Sequence, residues 1–129
     1  MKQAEAREQA LGALYAADSR SLEEIDVTNV SLRAAKLAEG TWNQREDIDK
    51  TITRCASNWR IERMPVVDRN IIRLGVYELE STDLPIGIVI SEAVELAKRF
   101  STAKSGSFIN GVLSAVARDT GEEPNETTT

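Results

Sequence analysis

Residues 86–100 read Ile86-Gly87-Ile88-Val89-Ile90-Ser91-Glu92-Ala93-Val94-Glu95-Leu96-Ala97-Lys98-Arg99-Phe100, and their period decides the fold class. The first five are rich in β-branched residues, a composition that suits a strand. Yet Ile86, Val89, Ile90, Ala93, Val94, Ala97 and Phe100 recur at intervals of three and four over about four turns. A strand cannot hold such a stripe on one face, so the stretch reads as a core helix.

The same period runs outward in both directions. Ala6, Ala10, Leu11, Leu14 and Tyr15 predict a helix over about 3–18. Ser21-Leu22-Glu23-Glu24 has capping-box spacing and predicts a short helix or turn. Ala34, Leu37, Ala38 and Thr41, then Ile48, Ile52, Cys55, Ala56 and Trp59, continue the stripe, and Gly40 divides it into helices at about 29–42 and 44–57. Residues 59–65 form a junction that ends on Pro65, a residue suited to a first helical turn. Val67, Ile71, Leu74, Gly75 and Leu79 predict a helix over 66–81, closed by Ser81-Thr82-Asp83 and Pro85. After a loop at 101–107, Phe108, Ile109, Val112, Leu113 and Val116 predict the last helix at about 106–118. The expectation is an all-α fold of six or seven short helices in two connected bundles, with halves at about 1–58 and 59–118 of one domain.

A chain of 129 residues can bury one real core. Its net charge of −5 is unevenly spread. Asp119, Glu122, Glu123 and Glu126 stand in the last eleven residues without a base, so residues 1–118 are almost neutral. The segment 119–129 has no apolar spacing and reads as a disordered acidic tail. No apolar run is long enough for a membrane helix, and the N-terminus lacks a signal-peptide pattern. With one cysteine, the expectation is a soluble protein of a reducing compartment, the cytoplasm.

Catalytic signals are weak. The absence of histidine excludes a His-based triad and a His-built zinc site. The seven glycines are scattered and make no phosphate loop. Cys55 lies on an apolar stripe and reads as a small buried hydrophobe. Glu92 and Glu95 sit beside Lys98 and Arg99 with the spacing of solvated ion pairs. Asp68, next to Arg69, complements a helix start rather than acting as an acid. Trp42 and Trp59 could stack bases, but both fall on or near apolar stripes, and the reading favours the core. Gly12, Gly75 and Gly111 lie inside helices, at about 1 kcal/mol each against Ala, which points to close approach by a neighbour. The chain thus reads as a non-enzyme without cofactor or metal.

One stretch does carry a signal. Between Leu96 and Arg118 stand Lys98, Arg99, Lys104 and Arg118 and no acid. Serines and free N–H groups then open a helix, a natural anion site. Phe108 could stack a base there and Asn110 could read a base edge. Ordinary helix-end preferences account for the same residues equally well.

The run Arg7-Glu8-Gln9-Ala10-Leu11-Gly12-Ala13-Leu14-Tyr15 resembles the opening helix of the NusB family of bacterial transcription antitermination factors. WRIERMPVVDRNIIRLGVYEL at 59–79 resembles that family's central segment. The run 89–100, followed by Ser107-Phe108-Ile109-Asn110-Gly111-Val112-Leu113, resembles its C-terminal signature. Residues 18–58 match only in helical character. The resemblance implies two helical bundles that bind single-stranded boxA RNA together with NusE, a small-subunit ribosomal protein, and join the RNA polymerase antitermination complex. Carried over by position, it implies RNA contacts at Lys2, Arg7, Lys104, Ser105, Ser107, Phe108 and Asn110, to which the charge pattern adds Lys98 and Arg99. It implies a NusE surface at Tyr15 and Asp68, with Arg69 nearby. Residues 1–6 hold one base and one acid where relatives often have a dense cationic cluster, whereas Lys104 stands where relatives are often acidic. That exchange moves phosphate contacts toward Lys104. One alternative stays open, a helical interaction module or homodimer with little RNA binding; a third reading, the RNA-targeting domain of an rRNA methyltransferase, is disfavoured because no methyltransferase domain is expected after residue 118.

Overall fold

The computed structural model describes residues 2–56 and 58–119. Six α-helices and one 3-10 turn account for its regular structure: α1 (Gln3–Ser19), α2 (Leu32–Asn43), α3 (Arg45–Cys55), the turn Ile61–Arg63, α4 (Val66–Ser81), α5 (Ile86–Phe100) and α6 (Ala103–Asp119). No strand occurs among the described residues, so the β-branched start of α5 is helical as its period predicts.

Ser21 does not begin a helix. It takes a left-handed conformation, φ 53°, and closes α1. The Leu22 N–H bonds back to the Ala17 carbonyl at 2.9 Å, which is the geometry of a helix C-terminus. The capping-box spacing was coincidental, because the same serine serves as a stop. Helix α2 starts at Leu32, where the Ser31 hydroxyl accepts from the Ala34 N–H at 3.1 Å. The Gln9 side chain accepts from the Ser31 N–H at 2.8 Å and ties that start to α1. Gly40 does not divide the stripe. It lies inside α2, and its missing Cβ makes room for the Tyr77 ring of α4. Gly75 admits Leu113 of α6 in the same way.

The largest departure is at the start of α6. The expected loop shrinks to Ser101 and Thr102. Thr102 accepts from the Ser105 N–H at 3.0 Å, the bond of an N-cap, so Lys104, Ser105 and Ser107 stand on the first turns of a helix.

Helix α4 packs against all five other α-helices. One core, containing Leu14, Trp42, Ile52, Ile71, Leu74, Leu96 and Leu113, draws on both halves. An ion-pair network adds to it. Asp18 of α1 accepts from Arg69 at 2.7 and 2.8 Å, from Asn70 at 2.8 Å and from Arg73 at 2.9 Å, while Arg73 also holds Asp49 of α3. Burial pushes the Asp18 carboxyl up, but the bonds and charges of Arg69, Asn70 and Arg73 outweigh it and hold it below the usual range. No described helix is long and apolar enough to cross a membrane. Of the expected tail, Asp119 ends α6 and pairs with Arg54 at 2.6 Å; residues 120–129 lie outside the described residues.

Candidate nucleic-acid interface

Residues 58–65 run past the start of α6 and form one wall of a groove with it. Trp59 was expected in the core, yet it is 60% exposed. Its apolar stripe ends with α3 at Cys55, so the ring falls beyond the helix that would have buried it. It rests instead on Phe108 of α6, ring centroids 4.9 Å apart and planes inclined by 60°. This tilted contact fixes both rings and leaves much of the indole open. On one side of the pair lies a groove of about 550 Å³, lined by Arg60, Arg63, Asp68, Lys104 and Ser105 among others. On the other side it continues past Ser107, Gly111 and Val112.

The charge of the groove is set by what is unpaired. Arg60, Arg63 and Lys104 are exposed and have no acidic partner among the described residues. At its floor, Asp68 of α4 accepts from the Ser105 hydroxyl at 2.7 Å. Ser105 in turn accepts from Ser101 at 3.0 Å and from Thr102 at 3.1 Å, so a chain of hydroxyls fixes the rim. Aromatic faces beside unpaired cations form a surface for stacking bases and holding phosphates.

A family model described as the NusB family matches residues 4–118. The chain belongs to the NusB family. A NusB transcription antitermination protein of Anaeromyxobacter sp. is 41% identical over 130 residues, covering 91% of this chain and 90% of its own length. One from Acidothermus cellulolyticus is 43% identical, covering 86% and 83%. Among solved structures, T. maritima NusB matches with a TM-score of 0.79 at 34% identity, covering 92% of each chain. A structure of NusB and NusE in complex with double-stranded RNA matches with a TM-score of 0.75 at 31% identity, covering 92% of this chain and 99% of that one.

The positions inferred from NusB likeness separate into three groups. Lys104, Ser105, Ser107 and Phe108 meet at the groove, together with Trp59, which the sequence offered as a base stacker but favoured for the core, and Arg60 and Arg63, which it did not single out. The signal for Arg60 and Arg63 was their place in a junction between helices, outside any stripe, whereas Trp59 extends the stripe of α3 past the end of that helix. Lys2 and Lys98 are exposed and apart from the groove's lining residues, and the Asn110 amide oxygen accepts from Ser114 at 3.4 Å.

Arg7 and Arg99 need correction as free surface cations. Arg7 is 2% exposed; its Nε donates to Glu78 at 2.9 and 3.0 Å and its Nη1 to Glu92 at 3.3 Å. Its place on the stripe of α1, between Ala6 and Ala10, turns it inward. Burial pushes the Glu78 carboxyl above the usual carboxylate range despite the pull of Arg7. Arg99 is exposed but clasps Glu8 of α1 at 2.9 Å, so Glu92 and Arg99 pair across helices rather than along α5.

The expected partner residues also diverge. Tyr15 is 45% exposed and lines an apolar cleft of about 440 Å³ with Leu11, Val67 and Phe100. Asp68 faces the other groove and is buried, and Arg69 is held by Asp18, so neither is a free surface charge. Cys55 is half-buried, and burial pushes its thiol up, which keeps it a poor nucleophile.

Proposed function

We propose that this chain is a transcription antitermination factor that binds boxA-type single-stranded RNA together with NusE and supports rRNA transcription. The observation that carries the reading is the Trp59–Phe108 pair with Arg60, Arg63 and Lys104 around it, none of them paired with an acid among the described residues. The cations hold backbone phosphates and set the register, while the rings stack unpaired bases. Lys2 and Lys98 add outlying phosphate contacts, and Ser105, Ser107 and Asn110 supply polar groups along α6. The family membership and the solved NusB–NusE complex with RNA support the same function. NusE docks on the apolar cleft at Tyr15, on the other side of α4. The factor is non-enzymatic, needs no cofactor, acts in the cytoplasm and operates as one domain over residues 1–118.

Titration of boxA RNA at several salt concentrations, with and without NusE, tests this. Lys104→Glu lowers affinity and reduces the salt slope by about one ion. An unchanged slope removes Lys104 from the interface. If the wild-type chain binds no RNA in either condition, a helical interaction module or homodimer seated on the Tyr15 cleft replaces the RNA reading.

A further inference from the structure

The floor of the groove holds an acceptor that the fold leaves unused. Asp68 is 4% exposed and its Oδ2 is taken by Ser105. Its Oδ1 is buried and accepts no hydrogen bond from any of the described residues. A buried acceptor without a partner costs about 1–3 kcal/mol, and native structures keep few of them. Around it stand an open indole face and three cations without an acidic partner among the described residues, in a groove whose volume suits a small planar ligand.

We propose that this groove holds a single unstacked guanine, lying on Trp59 with its Watson–Crick edge donating to Asp68. The inference rests on the groove being an RNA surface and adds which base it selects. A carboxylate accepts and does not donate. Uracil presents one N–H between two carbonyls, which sets two acceptors against Asp68. Adenine and cytosine present an amino group beside a bare ring nitrogen, one donor and one acceptor. Guanine alone places two donors side by side, N1–H and the N2 amine, which match a carboxylate edge. Arg60, Arg63 and Lys104 then take the flanking phosphates. Asp68 Oδ1 is shielded from solvent in this conformation, so the lining side chains shift as the base enters.

The test uses the full chain at low salt and fluorescence anisotropy with labelled pentauridine carrying a central guanine, inosine, adenine or uracil. Guanine binds about tenfold tighter than adenine or uracil, the size of one good bidentate pair. Inosine keeps N1–H but lacks the amine, and falls between. Asp68→Asn exchanges an acceptor for a donor at almost constant shape and erases the preference for guanine over adenine and uracil. The wild-type series reads out whether or not that variant folds. Equal affinities for all four RNAs, or a preference that survives in Asp68→Asn, overturn the base assignment while the groove keeps its RNA role. Binding to none of them overturns both. If Asp68→Asn weakens only capture of the protein partner proposed above, the carboxylate belongs to that interface and the base assignment fails.

Discussion

The Arg7 guanidinium lies 2.9 Å from the Glu78 carboxylate, linking α1 to α4 with both side chains almost wholly shielded from solvent. Removing one member of such a pair strands the other charge in a low dielectric, at about 3–5 kcal/mol. Arg7→Ala therefore lowers unfolding free energy by that amount in denaturant titrations. The salt dependence of RNA binding by the folded fraction stays at its wild-type slope. A smaller slope with unchanged stability would return Arg7 to the RNA surface.

The two tryptophans separate cleanly. Trp42 is 3% exposed and its Nε1 donates to the Glu23 carbonyl at 2.8 Å. Trp42→Ala costs about 3–5 kcal/mol of stability, as for other large core aromatics. Trp59→Ala leaves stability nearly unchanged but weakens RNA binding by about 1–3 kcal/mol, the value of one stacking platform. Thermal unfolding and RNA titration of the two variants should give opposite patterns.

Gly75→Ala and Gly111→Ala make an analogous pair. A Cβ on Gly75 would stand 2.8 Å from Leu113, a fully buried side chain, so overpacking by about 1–3 kcal/mol exceeds the gain in helix propensity. Nothing lies within 4 Å of a Cβ on Gly111, so there the substitution adds up to about 1 kcal/mol. Chemical denaturation should show shifts of opposite sign.

Asp18 governs part of the acid limb. Its carboxyl is held below 3.8 in the folded chain and returns to the usual range on unfolding. The folded state thus binds that proton less readily, and the resulting stability is full above pH 3.8 and is lost as pH falls through the depressed value. Asp18→Asn loses about 2–3 kcal/mol at neutral pH, where charged hydrogen bonds to Arg69 and Arg73 disappear. Its stability then falls less steeply with acid. An identical acid limb in wild type and variant would place the titration elsewhere.

Helix identity was legible because burial imposes a period. The boundaries of α4 and α5 follow from their stripes and their prolines, Pro65 and Pro85, to the residue. What escaped reading has local physical causes. Ser21 and Ser31 are both good helix-cap residues, but φ at Ser21 turned one of them into a stop. Thr102, capping three residues earlier than expected, converted a loop into helix. Arg7 looked like a solvated base because its neutralising partners, Glu78 and Glu92, are distant in sequence. Phe108 and Lys104 were found from charge segregation and chain resemblance. Arg60 and Arg63 were not, since a junction between helices has no period to read, and Trp59 was assigned to the core because it extends the period of α3 beyond that helix's end.

Val67 and Asp68 are adjacent on α4, yet Val67 lines the Tyr15 cleft while Asp68 lines the Trp59 groove. A single helical turn is therefore a wall common to two compartments on opposite flanks. An axial roll of that helix that widened one compartment would reshape the other through one peptide step.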